Sequence, residues 1–215
     1  MMQYAHRHLT KVPGLTFYKL LGSGKPGFNP LPDWSVYAIL QVWDEEASAT
    51  HFFDKSVLMG KYRKHSTEQY TIYLKNIVAR GEWSAKLPFK RHTNLDTTNP
   101  FLAVITRATI RKSQLINFWR DVPASQKSLD ANKGLLFTKG IGEVPIFQMA
   151  TFSLWEDKKS LEDFAYGSKE HAKVIAKTRE VQWYKEELFS RFQPYKTQGS
   201  WFGKELIPFK QAFKD

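Results

Sequence analysis

The 215-residue sequence contains no cysteine. Disulfide bonds, iron–sulfur clusters and a thiolate-ligated haem are therefore excluded, and a haem iron held by this chain would need another axial ligand, usually histidine. Long apolar runs are also missing, because no run of about 18 apolar residues is present to span a bilayer and the N-terminus lacks the apolar segment of a signal peptide. We therefore expect a cytoplasmic protein, or one bound peripherally to the inner face of the membrane.

The charges are unbalanced in favour of bases. Lys and Arg number 32 against 21 Asp and Glu, which gives a net charge of +11. The basic residues are scattered, and no zinc-finger spacing or RNA-recognition motif accompanies them, so we expect no nucleic-acid partner and consider a basic face on an anionic membrane instead. Aromatic residues make up 15% of the chain, which suits either a Phe-rich core or the enclosure of a large unsaturated ligand.

One strand pattern, ending in tryptophan and an acidic residue, occurs twice in the sequence. The two tryptophans, Trp43 and Trp155, are 155 − 43 = 112 positions apart. At the same separation Phe52 matches Phe164, and a helical pattern follows each strand. The chain therefore predicts a duplicated supersecondary unit.

The strands around these copies indicate the fold class. Another strand precedes each copy, at 14–20 and 134–140, and is joined to it through glycines as in a hairpin. In the second copy a strand at 101–110 and a helix at about 113–131 come first, so the order β-α-β-β-α indicates a ferredoxin-like unit. We expect an α+β fold of two such units packed sheet to sheet, with one more strand at 70–78.

These elements divide the chain into a first unit over residues 1–85, a linker over 86–100 and a second unit over 101–215, together forming one globular domain. The first unit begins where its partner would already be inside a helix, so its opening strand is missing from the pattern. We expect this to reflect a start codon assigned too far downstream or a shortened chain, in which case a longer chain would be more stable.

A glycine pattern at Gly22, Gly24 and Gly27 matches the spacing of a dinucleotide-binding fingerprint. Such a fingerprint must open a helix, whereas Pro26 and two further prolines keep this stretch from helical structure. Pro26 also stands where a Walker loop requires Ser or Thr. Because the second copy has glycines in the corresponding place, we favour a turn between strands.

One histidine differs from the others in its surroundings. His171 lies on a helix that the pattern predicts from Lys169 to about Phe192, on the same face as Val174 and Ile175. The other five stand in polar or terminal contexts: His6, His8, His51, His65 and His92. An inward helical histidine is more often a hydrogen-bonded core residue than a ligand, and the residues alone leave both roles open. No chelate spacing indicates zinc or non-haem iron.

Three aromatic residues near His171 could form the flat walls of a cofactor pocket: Phe164, Tyr166 and Trp183. Arg179, two turns after His171, could meet a propionate or polarise bound oxygen, which makes it our candidate catalytic residue. Ordinary core packing is the alternative for the aromatic residues. No Gly-x-Ser-x-Gly elbow and no recognisable carboxylate pair is present, so hydrolytic chemistry gains no support.

Several long ungapped runs carry a family resemblance. They are FWRDVP at 118–123, GLLFTKGIGEVP at 134–145 and QMATFSLWE at 148–156, and the dipeptide Trp83-Ser84 also fits. Together with shorter matches these runs extend over nearly the whole chain. The sequence resembles the spheroidene monooxygenase family.

The resemblance implies an enzyme that uses molecular oxygen and haem to introduce a keto group at C-2 of acyclic carotenoids, with an electron donor such as ferredoxin. It also implies a duplicated ferredoxin-like unit of the dimeric α/β-barrel type, in which His171 matches a helical iron ligand. Met59 holds the equivalent position in the first unit, since 171 − 112 = 59, so only the second unit would carry haem.

Two other functions stay open at this point. One is a haem-binding or lipid-binding module at the membrane surface without turnover, and the other is a cofactor-free monooxygenase of the same superfamily that acts on small molecules. The exposed sheet edges of such a fold would suit a homodimer in either case.

Overall fold

Seven antiparallel strands form one continuous sheet in the computed structural model, which describes residues 2–26, 29–120, 129, 132–144, 146–167 and 183–209. The elements in chain order are α1 (Met2–Leu9), β1 (Leu15–Lys25), β2 (Asn29–Trp43), α2 (Glu46–Lys55), α3 (Val57–His65), β3 (Tyr70–Gly81), β4 (Leu102–Ile110), a 3-10 turn (Lys112–Gln114) that leads into helical residues 115–120 (α4), β5 (Leu135–Val144), β6 (Gln148–Trp155), α5 (Lys158–Gly167) and β7 (Tyr184–Gly199). No helix in the described ranges is long and apolar enough to cross a membrane.

The second unit has the strand order β5-β6-β4-β7, with its opening strand β4 between β6 and the final strand β7. This is the arrangement of a β-α-β-β-α-β unit, so the predicted α+β, ferredoxin-like fold is confirmed. The helix predicted from Lys169 to about Phe192 is wrong over its last part, because the chain is a strand from Tyr184 onward. Buried residues alternate there, at Leu188, Ser190 and Phe192, as they do in a strand.

The two units share contacts as well as sequence spacing. Helices α2 and α5 begin 158 − 46 = 112 residues apart. The ring of Trp43 packs against Phe52 with 5.3 Å between centroids, and the ring of Trp155 packs against Phe164 at the same 5.3 Å. The residues that revealed the repeat therefore make the same contact in both units, and the predicted duplication is confirmed.

All seven strands contribute side chains to one inner apolar core. The contributors, two from each strand in chain order, are Phe17, Leu21, Ala38, Leu40, Ile72, Leu74, Ala103, Ile105, Phe137, Ile141, Ala150, Leu154, Leu188 and Phe192. A flat sheet of seven strands would separate its edges by about 29 Å, so the edge strands β2 and β3 can share this core only if the sheet curls. The curl brings the inner faces of the two units together, as expected for a barrel of this type.

Strand pairing joins the two units edge to edge. The seam between β3 and β7 runs over eleven residue pairs, from Tyr70 with Gly199 to Gly81 with Leu188. The seam between β1 and β5 has two, one of which is Gly22 with Gly142. A Cβ atom on Gly142 would meet the carbonyl oxygen of Gln148 at 2.6 Å, so the close approach of β5 to the neighbouring strand β6 requires glycine at this end of the seam.

The edges of the sheet are β2 and β3 in the described part of the chain. In the second unit β4 stands between β6 and β7, and the matching place in the first unit is between β2 and β3. No described residues form a strand there, as predicted for the opening strand of the first unit. Gly22 and Gly24 of the glycine pattern lie inside β1, where it pairs with β2, and Gly27 lies outside the described residues.

Helices cover the outer face of the sheet. In the first unit Phe52 of α2 and Leu58 and Met59 of α3 are buried against the sheet, with Met59 8% exposed. In the second unit Trp155 and Leu161 are buried where α5 packs on the sheet. The fold therefore has two apolar layers, one inside the curl and one between sheet and helices.

Candidate functional site

Charged side chains project into the curl beside the apolar core. Lys19 alternates with Phe17 and Leu21 along β1, and both neighbours belong to the inner core. Arg107 continues the inner row of β4 two residues after Ile105 and is 2% exposed. Two basic side chains from different units therefore share the interior of the sheet.

Two carboxylates complete this interior ion cluster, which consists of Lys19, Arg107, Glu143 and Glu186. Lys19 pairs with Glu143, and Arg107 Nη2 lies 3.6 Å from Glu143 Oε2 while Nη1 pairs with Glu186. The four side chains are between 2% and 23% exposed. Because the charges alternate and sum to zero, each buried ion has at least one opposite partner, which burial requires.

The loop after β3 closes the cluster. Trp83 is 1% exposed and donates its indole N–H to Glu143 Oε2 at 2.7 Å. Ser84 and Ala85 have positive φ angles of 56° and 54°, and their backbone N–H groups donate to the Glu186 carboxylate at 2.9 and 3.1 Å. Since a left-handed backbone costs about 1–3 kcal/mol per non-glycine residue, Glu186 holds a strained turn in place.

The same contacts set the ionisation of Glu186. Burial acts to raise its pKa, but the N–H groups of Ser84 and Ala85 together with Arg107 outweigh burial and hold the pKa below its usual value. Glu186 is therefore ionised at neutral pH. The Nε–H of Arg107 is buried and has no hydrogen-bond partner among the described residues, so it is available to a ligand oxygen or a water.

A second ion pair lies inside the curl, between β2 and β5. Lys139 Nζ is 2.8 Å from Asp33 Oδ2, and the Ser35 hydroxyl donates to Asp33 Oδ1 at 2.5 Å. Lys139 and then Ser35 lower the pKa of Asp33 to about 2. The pair ties the N-terminal part of β2 to the second unit.

The predicted catalytic and ligand residues, Arg179 and His171, lie outside the described residues. Tyr166 is in α5, but its side chain also lies outside the described part. Phe164 packs against Trp155 as described above. Because Phe52 makes the same contact in the first unit, which has no histidine at the matching position, this packing does not depend on a cofactor.

Trp183 precedes β7 rather than lying on a helix, which corrects its predicted setting. It is 1% exposed, and its ring stands edge-on to Phe118 at 5.9 Å. Its carbonyl accepts the N–H of Arg111, just beyond the end of β4, whereas Trp155, the partner of Phe164, pairs with Leu102 at the start of β4. The backbone anchors of Phe164 and Trp183 are therefore about 30 Å apart along β4 and its continuation to Arg111.

All five histidines in the described ranges are exposed: His6, His8, His51, His65 and His92. Among the described residues no group of three or more His, Asp or Glu side chains is placed to hold a metal ion. A buried histidine ligand for haem would therefore have to come from residues outside those ranges.

No protein-family model matches the chain. A spheroidene monooxygenase from Cereibacter sphaeroides is 38% identical over 91% of this chain, which spans 61% of that protein. A spheroidene monooxygenase from Rhodobacter capsulatus is 36% identical over 97% of this chain and 88% of its own length. The chain belongs to the spheroidene monooxygenase family. A third relative of the same name, from Rubrivivax gelatinosus, is 32% identical over 89% of this chain and 73% of its own.

Solved structures give weaker likenesses. A protein described as a monooxygenase from Fusobacterium nucleatum is 9% identical, with 93% of this chain and 86% of that one covered and a TM-score of 0.44. An anthrone oxidase-like protein is 10% identical over 95% of this chain and 88% of its own, with a TM-score of 0.36. Neither adds to the fold derived from strand order and packing.

Proposed function

We propose that this chain is a haem-dependent monooxygenase that introduces a keto group at C-2 of acyclic carotenoids. Membership of the spheroidene monooxygenase family carries the proposal, above all the match over 88% of the Rhodobacter capsulatus relative. The chain spans 61% of the Cereibacter sphaeroides relative, so the activity is proposed for this chain rather than transferred from the longer protein.

The donor groups of the chain narrow the choice of iron ligand. The sequence has no cysteine, and five of its six histidines are exposed, which leaves His171 as the proposed ligand. Met59, the equivalent residue in the first unit, is buried between helices and sheet with Phe52 and Leu58. A matching position for His171 would give haem the apolar, sheet-backed setting that it requires.

Bound haem would supply the activation of molecular oxygen. Around it we propose Phe164 and Tyr166 as apolar walls and Arg179 as the catalytic candidate that pairs with a propionate or donates a hydrogen bond to the oxygen substrate. Trp183, predicted as a third wall, is anchored at the opposite end of β4 from Phe164 and is too far away to line the same pocket. A keto group at a methylene carbon requires two successive hydroxylations followed by loss of water, and each hydroxylation uses one O₂ and two external electrons. We therefore also propose a ferredoxin-type donor. We also propose a homodimer, because β2 and β3 are the edge strands of the described sheet and the backbone groups of an edge strand can pair with a second copy.

The absorption spectrum of protein expressed with a haem precursor tests the ligand. We expect a Soret band that dithionite shifts in the wild type, and its loss or displacement in His171→Ala. His51→Ala, at an exposed histidine on α2, is the matched control and should leave the spectrum unchanged. A normal haem complement and spectrum in folded His171→Ala would show that the iron has another ligand.

Turnover assays separate the remaining functions. Oxidation of an acyclic carotenoid with ferredoxin, its reductase and O₂ is expected for the wild type. Protein that takes up haem but gives no product would instead be a binding module. A colourless protein that still oxidises a small substrate would be a cofactor-free monooxygenase of the same superfamily.

A further inference from the structure

The first unit has a hairpin extension that the second unit lacks. Strand β1 is offset from β5 by 135 − 15 = 120 residues, whereas Trp43 of β2 is offset from Trp155 of β6 by 112. The eight additional residues lie before Val36, which matches the first residue of β6. The extension comprises residues 29–37, which are the added residues within the described ranges, 29–35, and the adjoining Val36 and Tyr37 that match the start of β6. It is paired with β1 at Asn29 to Lys25 and Asp33 to Ser23. The duplicated fold does not need it, since β5 and β6 are joined without one.

Large apolar side chains on this extension face solvent. Leu31 is 56% exposed, Trp34 75% and Tyr37 52%. All seven tryptophans lie in the described part of the chain, and Trp34 is the only one of them in an exposed position. Three large apolar side chains are thus exposed within seven residues, and exposed apolar surface concentrated in this way marks interaction sites.

The extension is held in a fixed orientation. Asp33, beside Trp34, binds Lys139 of β5 at 2.8 Å and accepts the backbone N–H of Ser35 at 3.1 Å. Because the pKa of Asp33 is lowered to about 2, this anchor persists at neutral pH. Trp34 is therefore presented to solvent by a braced strand.

Another exposed aromatic side chain lies at the same end of the sheet. Phe202 is 77% exposed, and its neighbour Trp201 packs against Phe137 with 5.0 Å between ring centroids. Phe137 is two residues from Lys139, the partner of Asp33. Two segments far apart in sequence, residues 29–37 and the loop after β7, thus place exposed aromatic rings at one end of the curl.

We propose that this end of the sheet docks on an anionic lipid bilayer, with Trp34 and Phe202 seated in the interfacial layer. Tryptophan and tyrosine favour that layer, phenylalanine and leucine add apolar surface that can be buried in it, and the net charge of +11 is complementary to anionic headgroups. The reason for docking rests on the proposed function, because an acyclic carotenoid substrate is apolar and partitions into membranes. Docking gives the chain access to that substrate.

Sedimentation with vesicles tests the docking without substrate. The full chain is mixed with phosphatidylcholine vesicles containing 30% phosphatidylglycerol, and the partition coefficient is measured at low and high salt. We expect binding that weakens in high salt, and a reduction of about tenfold in Trp34→Ala, since a buried aromatic side chain contributes on the order of that factor or more. Phe202→Ala should weaken binding in the same direction.

Tyr4→Ala is the matched control, because Tyr4 is a 70% exposed aromatic residue on α1. His6 of that helix contacts Tyr18, which is about 23 Å along β1 from Lys25 at the hairpin extension. This variant should bind vesicles as the wild type does. Circular dichroism checks that each variant is folded. If Trp34→Ala is unstable, Leu31→Ser replaces it as the test of the extension.

Wild-type binding that Trp34→Ala and Leu31→Ser leave intact would overturn the proposal, as would no binding to anionic vesicles. A self-association that Trp34→Ala abolishes, with lipid binding unaffected, would assign the surface to a second copy and also overturn it. If the protein binds vesicles but takes up no haem, the docking proposal stands and the proposed function is refuted. If the haem-loaded protein does not bind vesicles, the docking proposal is refuted and the proposed function is unaffected.

Discussion

Replacing Arg107 with methionine should destabilise the fold more than any exposed ion-pair mutation. Arg107 is 2% exposed and binds both Glu143 and Glu186, so the variant leaves two partly buried carboxylates short of a partner. Removing one member of a buried pair typically costs about 3–5 kcal/mol. Here Lys19 and Trp83 still bind Glu143, so we expect a loss near the lower limit, about 3 kcal/mol in the free energy of unfolding.

Urea denaturation followed by tryptophan fluorescence measures this change. Lys159→Met is the control, because Lys159 pairs with Asp163 at 2.6 Å on the exposed face of α5 and its removal should leave the urea midpoint unchanged. A double-mutant cycle with Glu186→Gln isolates the pair, and we expect a coupling of about 1–3 kcal/mol. If Arg107→Met lost less than about 1 kcal/mol, the cluster would not brace the two units as the geometry indicates.

Three further mutations test other contacts. Because the pKa of Asp33 is lowered, its pairing with Lys139 stabilises the fold above about pH 4, and that contribution disappears as the pH falls toward 2. The urea midpoint of Asp33→Asn should therefore lie below that of the wild type at pH 6, and the two midpoints should converge near pH 2. Gly142→Ala should destabilise by about 1–3 kcal/mol, because its Cβ would lie 2.6 Å from the Gln148 carbonyl, and an unchanged thermal midpoint would refute that close approach. Gly60→Ala on α3 has nothing within 4 Å and should stabilise by about 0.5–1 kcal/mol, which calorimetry can check.

The duplication could be predicted because it is recorded at a constant sequence spacing. Trp43 with Phe52 and Trp155 with Phe164 are local strand-to-helix contacts, so a gap of nine residues preserves each pair and an offset of 112 relates the two. Strand β7 was missed for the opposite reason. Its first residues include Lys185, Glu186 and Glu187, which favour helices intrinsically, and only pairing with β3 and β4 makes them a strand.

The interior ion cluster could not be predicted from spacing, since its members lie on four different strands. Lys19 and Glu143 are 124 residues apart, and only the seam between β1 and β5 brings them together. One local signal was present: Lys19 stands between Phe17 and Leu21 on the inner face of a strand. A charged residue at such a position needs a partner, although the sequence does not say which.

The contents of the curled sheet bear on where a large ligand can bind. Its interior holds the apolar core from all seven strands, the interior ion cluster and the Asp33–Lys139 pair, with Trp83 and Leu154 at most 1% exposed. A haem or a carotenoid placed there would lie against these charged side chains as well as against the apolar core. The layer between sheet and helices is the alternative, and in the first unit Met59 and Phe52 already fill it. Under the proposed function, His171 in place of that methionine would make the equivalent layer of the second unit the place where haem is held, while the interior ions tie the two units together.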